Sequence, residues 1–277
     1  MLSIIIVHYD TPEELTACLT SLGDIPPFVE VIVVDNHSPT EPTVARQFVE
    51  RHPQMSWLDM NSNVGFGAGV RSGVEVSKGD RLFILNPDSV LLRVNWKDFI
   101  EEIRDNFILC ADLISASHRR ELPGWFSPGL VSEFSRRFAQ GRLDRGVDWP
   151  ARLLRRRGLR PGGLAWVTGA ALALTRKRWD ELHGFDPAFF LFFEDIDLCL
   201  RHRKAGGLCL ISTNIEVMHK RGVASRRHSE FAERHYRQSQ GVFWSRHGSW
   251  WARNWMRFII GVQRRRRSIR YHWRNRQ

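Results

Sequence analysis

Short aliphatic runs separated by amphipathic stretches open the chain. The run at 2–7 is mostly Ile, Leu and Val, which is typical of a strand buried on both faces. Thr11, Pro12 and the two acids that follow mark the start of a helix. Because such strands and helices alternate, the pattern predicts a parallel α/β sheet. The predicted strands are 2–7, 29–34, 55–60 and 81–85, and the predicted helices are 11–22, 41–51, a glycine-rich one ending near 76, and 96–106.

The pattern changes after residue 118. Residues 119–163 are rich in arginine, with scattered Pro and Gly and weak periodicity, and we interpret them as an insert or a mobile loop region. From about residue 231 the chain is predicted to be helical and basic. Between these two segments the sequence predicts helices at 176–182 and 194–203 and strands at 208–212 and 215–218.

Polar residues follow the predicted strands directly. His8 and Tyr9 end the first strand, Asp35 and Asn36 end the second, and Asn63 lies just after the third. Ligands of open α/β sheets bind beyond the carboxyl ends of the strands. These residues are therefore expected to line a ligand crevice.

Three further places carry groups that can do chemistry. Asp88, in Asn86-Pro87-Asp88, is either a hard oxygen ligand for Mg²⁺ or Mn²⁺ or part of an ordinary Asp-Ser turn. Glu194 and Asp195 stand between a run of aromatics and a helix, so they are either helix-capping acids or a general base with raised proton affinity. His219 ends a strand and is either a hydrogen-bonded structural residue or a metal ligand.

The glycines at 65, 67 and 69 are similar to a dinucleotide fingerprint. They lie after the third strand, however, and not in the first βα turn where that fingerprint belongs. We therefore exclude NAD binding and interpret these glycines as places where the backbone approaches a ligand.

Cysteine usage and the amino-terminal residues bear on the compartment. The four cysteines form no CxxC pair, which indicates reduced thiols in a cytosolic protein. The first residues lack the basic stretch of a secretory signal, so secretion is not expected. The longest uncharged apolar run, at 164–175, is too short to span a bilayer.

The net charge of +11 is unevenly distributed. Residues 220–277 hold 16 Lys or Arg and two acids, residues 119–160 hold 11 and four, and the remainder is acidic. We place the chemistry in the acidic body and expect the basic segments to dock partners. Tryptophans at 250, 251 and 255 and apolar residues at 258, 259 and 262 recur mostly at helical spacing, with arginines nearby. This pattern fits a helix on an anionic membrane surface or a helix packed on the domain. Nucleic-acid binding is not expected, because no nucleic-acid-binding motif accompanies the arginines.

Seven motifs taken in order carry a family resemblance: IIIVHY, VIVVDNHS, NVGFGAG, LNPDS, WVTGAALALTRK, GFDPAFFLFFEDIDLCLR and MHKRGVAS. This order resembles the family 2 glycosyltransferases with the GT-A fold, and within them the bacterial rhamnosyltransferase-like branch. The resemblance covers about residues 1–118 and 164–225. It implies an α/β fold with a mostly parallel central sheet flanked by helices, followed here by a basic helical C-terminal extension.

The resemblance also implies roles for individual residues. Asp88 would hold a divalent metal, Mg²⁺ or Mn²⁺, at the donor diphosphate, with His219 as a second metal ligand. Asp195 would be the catalytic base that takes the proton of the acceptor hydroxyl, with Glu194 beside it. The residues implied to bind the nucleotide sugar are Asp35 at the nucleobase, His8 and Tyr9 in the same pocket, Asn63 and Gly67 in the neighbouring loop, Asn86 near the ribose or phosphate, and Asp88.

Two residues depart from the family pattern. Arg71 stands where many relatives have Asn, which bears on the donor pocket and on the sugar that it takes. Asn86 replaces an acid, so one carboxylate fewer faces the metal. The second departure implies either a weaker ion site or an ion that arrives with the nucleotide sugar.

Taken together, the sequence predicts an inverting, metal-dependent glycosyltransferase with a dTDP- or UDP-sugar donor. We expect L-rhamnose from dTDP-rhamnose to be moved to a surface-glycan acceptor linked to a lipid carrier, by a cytoplasmic enzyme on the inner face of the cell membrane. The expected organisation is a nucleotide-sugar-binding half at 1–118, an arginine-rich insert at 119–163, an acceptor and catalytic half at 164–225, and a basic amphipathic helical tail at 226–277.

Two alternatives remain open. One is a sugar-nucleotide nucleotidyltransferase, but such enzymes usually carry a glycine-rich basic loop after the first strand, and residues 8–12 contain neither glycine nor lysine. The other is a degenerate transferase that acts as a docking module. The presence together of Asp88, Asp195 and His219 argues against it.

Overall fold

The structure, a computed structural model, describes residues 1–117, 119–127, 130–160, 163–220, 222–248 and 250. Of the predicted amphipathic segment that begins at Trp250, all residues but the first lie outside these ranges. The described strands are β1 (Leu2–His8), β2 (Val29–Asp35), β3 (Met55–Asp59), β4 (Arg81–Leu85), β5 (Ser89–Val94), β6 (Phe107–Ser115), β7 (Gly124–Trp125), β8 (Trp166–Val167), β9 (Ala171–Thr175) and β10 (Leu208–His219). The described helices are α1 (Pro12–Ser21), α2 (Thr43–Glu50), α3 (Phe66–Val76), α4 (Trp96–Glu102), α5 (Leu130–Asp144), α6 (Trp149–Gly158), α7 (Arg176–Glu181), α8 (Glu194–Lys204), α9 (Val223–Arg227) and α10 (Ser229–His247).

Eight strands form one mixed sheet in the order β3-β2-β1-β4-β9-β6-β10-β5. The neighbouring pairs from β3 to β4 are parallel, as are β6 and β10, so four of the seven pairings are parallel. β9 runs antiparallel between β4 and β6, and β5 runs antiparallel at the edge beside β10. The amino-terminal half of the sheet is therefore the predicted parallel α/β unit, and β9 joins it to the second half.

The core lies around β1, whose seven residues are all buried. α3 packs directly on this strand, and the glycines of the helix make the close approach possible. A Cβ atom at Gly73 would lie 2.6 Å from Cγ2 of Ile5 and 3.0 Å from Cγ2 of Val34. Glycine is therefore needed at this position for helix-to-sheet packing.

Several elements differ from the sequence-based expectations. β5 and β6 were not predicted, and the helix expected over 96–106 ends at Glu102, where the chain turns to enter β6. The two strands expected between 208 and 218 are one strand, β10, with a register irregularity between Ser212 and Glu216. Such strands are held in place by pairing with segments far away in the sequence, which local patterns do not reveal.

The arginine-rich segment, expected to be an insert or a mobile loop region, contains two helices. α6 is anchored on the sheet because Nε of Arg155 lies 2.8 Å from Oδ2 of Asp112 in β6. Leu154 is fully buried on the same side of the helix. This segment is therefore built into the fold.

The last described helix, α10, packs against the turn that precedes α8. Phe243 and Trp244 are buried with Phe189 in a small apolar cluster. The Ser239 hydroxyl donates to the Leu191 carbonyl at 2.8 Å, and Nε2 of His247 lies 2.7 Å from Oδ1 of Asp197. None of the described helices is both long and apolar enough to cross a membrane.

Candidate active site

A cavity of about 440 Å³ opens at the carboxyl ends of β1, β2 and β4. Parallel strands bring these ends to one edge of the sheet, because His8 of β1 is in register with Asp35 of β2. Of the residues predicted to form the site, the cavity is lined by Tyr9, Asn63, Asn86, Asp88, Glu194, Asp195 and His219. The structure also describes His8, Asp35 and Gly67, and these do not line it.

His8 and Asp35 support the cavity from behind. His8 is fully buried, and its Nδ1 lies 3.0 Å from the hydroxyl of Thr11, which does line the cavity. Burial lowers the pKa of His8 to about 4, so the ring is neutral. Oδ1 of Asp35 accepts a hydrogen bond of 3.0 Å from the backbone N–H of Ser38.

Two asparagines form the wall at the end of β2. The Asn36 amide nitrogen donates to the Asn63 side-chain oxygen at 3.0 Å, and the same oxygen accepts from the backbone N–H of Gly65. Asn36 also lines the cavity, as its position directly after the second predicted strand led us to expect.

The glycines after Asn63 bring two parts of the chain together. Gly65 has a φ of 88°, and a Cβ there would lie 2.3 Å from the carbonyl oxygen of Phe190. A Cβ at Gly67 would be 3.3 Å from the Cβ of Phe185 and 3.9 Å from the Cβ of Glu194 at the start of α8. These glycines therefore allow the loop that follows Asn63 to lie close to the aromatic turn at residues 189–193, just before α8.

Asp88 and His219 meet because β5 and β10 are antiparallel, with His219 in register with Ser89. Nε2 of His219 lies 3.2 Å from Oδ1 of Asp88, and its Nδ1 lies 3.9 Å from a carboxylate oxygen of Glu121. The amide nitrogen of Asn86 is 3.5 Å from the same Nε2. The three predicted residues therefore share one corner of the cavity.

In this corner, the positive charge of His219 and the negative charges of Asp88 and Glu121 stabilise one another. Burial alone would lower the pKa of His219, but the hydrogen bonds and negative charges of Asp88 and Glu121 raise it to about 9. Burial alone would raise the pKa of Asp88, but the hydrogen bond and charge of His219 lower it. A positive imidazolium therefore lies beside a negative carboxylate at neutral pH.

The second group of predicted residues begins α8. Asp195 accepts two backbone hydrogen bonds, from Gly169 at 2.7 Å and from Ile196 at 2.8 Å. Oε2 of Glu194 is buried and has no hydrogen-bond partner among the described residues. Burial, followed by the charge of Asp195, raises the pKa of Glu194 well above its usual value. Burial also raises the pKa of Asp195, but the backbone N–H groups of Gly169 and Ile196 favour its anion, so Asp195 is the more readily ionised of the two acids.

The segment just before β9 connects the two groups. The backbone N–H of Asn86 donates to the carbonyl of Ala170 at 2.9 Å, and the N–H of Gly169 donates to Asp195. Gly169 and Ala170 thus fix the position of Asn86, next to Asp88, relative to Asp195.

Residues from the arginine-rich segment and from α10 complete the lining, and the sequence analysis assigned neither group to the site. Arg136 of α5 lies near Asp195 and 5.9 Å from the Trp166 ring. No motif indicated these residues; the only signals were many arginines and many aromatics. The lining residues from these segments are Trp125, Ser127, Ser132 and Arg136, then Phe231, Ala232, Tyr236, Phe243 and Trp244.

The Asp88 corner suits a divalent metal ion by its chemistry. One carboxylate and one imidazole are donors that Mn²⁺ and Mg²⁺ accept, and these ions keep water or substrate oxygens in their other positions. His219 would have to release its proton to bind the ion, because only the neutral ring has a free nitrogen lone pair. No group of three or more His, Cys, Asp or Glu side chains able to hold a metal occurs in the described part of the chain. A metal held here would therefore need ligands from the substrate as well as from Asp88 and His219.

Comparison with known proteins gives a family and a set of relatives. The profile described as "Glycosyl transferase family 2" matches residues 3–163, which is more than half of the chain. The chain is 25% identical over 283 residues to the "N-acetylglucosaminyl-diphospho-decaprenol L-rhamnosyltransferase" of Mycobacterium tuberculosis. The match covers 91% of this chain and 86% of that protein.

Solved structures share the fold. "GalNAc-T7 with UDP, GalNAc and Mn²⁺" superposes with a TM-score of 0.58 at 15% identity over 79% of this chain. "Mannosyltransferase PcManGT from Pyrobaculum calidifontis in complex with GDP-Man and Mn²⁺" has a TM-score of 0.56 at 16% identity over 90%. The chain spans 43% and 65% of these two proteins, respectively. The expected GT-A fold is confirmed.

Proposed function

The chain belongs to glycosyl transferase family 2, and on that premise we propose that it transfers L-rhamnose from dTDP-rhamnose to a sugar carried on a lipid diphosphate. Its family, its relatives and its fold are those of glycosyltransferases, and the protein is therefore a transferase. The donor sugar and acceptor are proposed from the name of the M. tuberculosis relative, which the chain matches over most of its length.

One observation carries the proposal: the Asp88–His219 pair and the Glu194–Asp195 pair face the same cavity. A glycosyl transfer needs a charged group at the leaving diphosphate and a base at the attacking hydroxyl. The two pairs would supply these groups, and hydrogen bonds from Gly169 to Asp195 and from Asn86 to Ala170 connect one pair to the other, which supports the proposal.

On the donor side, we assign the nucleoside to the strand-end wall formed by Tyr9, Asn36 and Asn63. Asp35 and His8 stand behind this wall and would hold its shape. Asp88 and His219 would hold a divalent cation at the diphosphate. When bound, such a cation would offset the negative charge that develops as the nucleotide leaves.

On the acceptor side, Asp195 is the base. Its carboxylate takes the proton of the acceptor hydroxyl, whose oxygen forms a bond to the anomeric carbon of the donor sugar. The bond between that carbon and the diphosphate oxygen breaks, and the nucleoside diphosphate leaves. Attack from the face opposite the leaving group inverts the configuration at the anomeric carbon.

The acceptor sugar is assigned to the aromatic part of the cavity, between the turn before α8 and α10. Phe193 packs against Tyr236 and Phe243 with ring centroids 5.2 Å apart in each pair. The buried indole N–H of Trp244 has no partner among the described residues, and neither does Oε2 of Glu194. Aromatic faces and unpaired polar groups together suit a pyranose ring, which offers C–H faces and hydroxyls.

Calorimetric titration tests the donor assignment. We expect the protein to bind dTDP more tightly than UDP and to need Mn²⁺ or Mg²⁺ for full affinity. Asp88→Asn is expected to lose the metal-dependent part of binding, because it removes a charged oxygen ligand. Asp195→Asn is expected to bind dTDP normally and to lose transfer by at least about 100-fold, since it lacks the base.

Asp24→Asn, at an exposed position after α1, is the matched control and should behave as the unmodified protein. Absence of binding to both nucleotides in the presence of metal would contradict the proposed donor class. Unchanged transfer by Asp195→Asn would contradict the assignment of the base.

A further inference from the structure

The outer face of α6 exposes large apolar side chains. Trp149 is 50% exposed and Leu153 is 45% exposed, although tryptophan and leucine are normally covered by the fold. The two residues are four positions apart and so lie one turn apart on the same face of the helix. Together they form an exposed apolar spot at the centre of the face.

Arginines flank this apolar spot. Arg152, Arg156 and Arg157 are all exposed on α6. No carboxylate among the described residues pairs with Arg156 or Arg157, and Arg152 has only a long 3.9 Å contact with Asp148. The exposed face of α6 therefore has an apolar centre flanked by three arginines, two of which have no carboxylate partner among the described residues.

The opposite face of α6 is fixed to the sheet. Leu154 is fully buried, and Arg155 forms its ion pair with Asp112 at 2.8 Å. A Cβ at Gly158 would lie 2.4 Å from Cδ1 of Ile211 in β10, so the helix lies very close to the sheet there. The exposed face is thus presented on a rigid support.

We propose that this α6 face, defined by Trp149, Arg152, Leu153, Arg156 and Arg157, docks the enzyme on a bilayer of anionic phospholipid. Apolar side chains would enter the boundary between headgroups and acyl chains, and the arginines would contact the lipid phosphates. Charge complementarity selects this occupant. Arg156 and Arg157 have no carboxylate partner among the described residues, and an anionic lipid surface offers phosphates to them at the same depth at which its acyl boundary takes Trp149 and Leu153.

The docking helix lies in the same segment as one wall of the cavity. α5 precedes α6 in the same segment, and its residues Ser132 and Arg136 line the cavity. This inference rests on the proposed function in one respect, namely that a lipid-linked acceptor is presented at a bilayer. The helix that meets the lipid and the helix that lines the site would then belong to one unit.

The test is sedimentation of the full-length protein with two kinds of vesicle, in the absence of substrates. One kind contains phosphatidylglycerol with phosphatidylcholine, and the other contains phosphatidylcholine alone. We expect binding to the anionic vesicles only, weakening as salt rises. Trp149→Ser with Leu153→Ser, and separately Arg156→Glu with Arg157→Glu, are each expected to weaken binding by about tenfold or more.

The matched control is Val44→Ser with Arg51→Glu, which changes an exposed apolar residue and an exposed arginine at α2. It is expected to bind as the unmodified protein does. Equal binding by the α6 variants and the control would overturn the proposal, and would assign any membrane affinity to another segment. Failure of the unmodified protein to bind anionic vesicles at low salt would also overturn it.

Titration with dTDP and Mn²⁺ separates this proposal from the proposed function. The α6 variants should bind the nucleotide normally, because the changed side chains lie outside the cavity lining. Vesicle binding through α6 without nucleotide binding would leave the docking surface standing while the proposed donor fails. Nucleotide binding together with vesicle binding that does not depend on α6 would overturn the docking surface and leave the proposed donor standing.

Discussion

At the scale of single residues, the turn before α8 determines how the acid pair is presented. Phe192 and Phe193 both have a φ of 70°, a conformation that bulky residues rarely adopt. Such strain persists only where the surroundings hold it, and it concentrates at functional sites. Here the two residues with positive φ directly precede α8, and the helix therefore begins at the cavity with Glu194 and Asp195. Asp195 accepts two backbone hydrogen bonds there.

Arg136 provides a residue-scale prediction for activity. Burial raises the pKa of Asp195, while backbone hydrogen bonds and the Arg136 charge lower it. Because a base must be unprotonated, activity should fall as pH falls through this pKa. Arg136→Gln removes a lowering contribution, so the acid limb of kcat/KM should move to higher pH. Arg145→Gln, at an exposed arginine just after α5, should leave the limb in place; an unmoved limb in Arg136→Gln would contradict the contact.

His202 gives a residue-scale prediction for stability. It is fully buried, and its Nδ1 accepts a 2.8 Å hydrogen bond from Nε of Arg178. Burial, followed by the charge of Arg178, lowers its pKa from 6.5 to about 4. Between these values the unfolded chain binds a proton that the folded chain does not. The contribution of neutral His202 to folding is therefore complete above pH 6.5 and is lost as pH falls through about 4.

Denaturant unfolding at pH 7 and pH 4.5 measures this contribution. The free energy of unfolding of His202→Asn should fall by about 2 kcal/mol less between the two pH values than that of the unmodified protein. His183→Asn, at an exposed histidine with a φ of 58°, is the control and should keep the original pH dependence. Equal pH dependence in all three proteins would mean that His202 binds its proton equally well in the folded and the unfolded chain, and would contradict the lowered pKa.

At the scale of elements, α10 closes the site from outside the residues that the family profile matches. It is attached to the aromatic turn through Ser239 and to α8 through the His247–Asp197 contact. Just before it, Arg227 of α9 reaches Glu13 of α1 at 2.7 Å. The end of the described chain is thus fastened to both sides of the cavity.

Phe243→Ala tests that attachment. Phe243 is 2% exposed, and its ring packs on Phe193 and Trp244. Removing it should lower the free energy of unfolding by about 3 kcal/mol or more. Activity should fall as well, because the start of α8 would lose its support. Phe138→Ala, at a 63% exposed phenylalanine of α5, should cost much less stability, and an equal loss in the two variants would contradict the packing role.

The sequence could predict the elements whose signals are local, and it could not predict those that are stabilised by contacts with distant parts of the chain. β1 to β4 and α1 to α3 carry local signals, namely aliphatic runs and a Thr-Pro helix start, and the structure confirms them. β6 depends on pairing with β9 and β10, and Asp112 interrupts its apolar run. The cavity walls supplied by α5 and α10 come from packing between distant segments, so no local pattern could assign them.

At the scale of the whole molecule, charge and chemistry are divided between different parts of the chain. The predicted acidic body holds the two pairs of chemical groups, and the arginine-rich segment supplies both a wall of the cavity and the face of α6. Residues 251–277 add nine arginines and no acid, and they lie outside the described residues. Salt should therefore weaken association with an anionic surface far more than it weakens nucleotide binding in the cavity.

The attachment of α10 also bears on when the protein can become active during its own synthesis. The cavity draws on residues from Val7 in β1 to Trp244 in α10. Chains fold from the amino terminus as they emerge from the ribosome, so the strand-end wall forms early and the aromatic wall forms last. A nascent chain would thus hold an incomplete, open pocket, and transfer could begin only after α10 has been synthesised and has packed on the turn before α8.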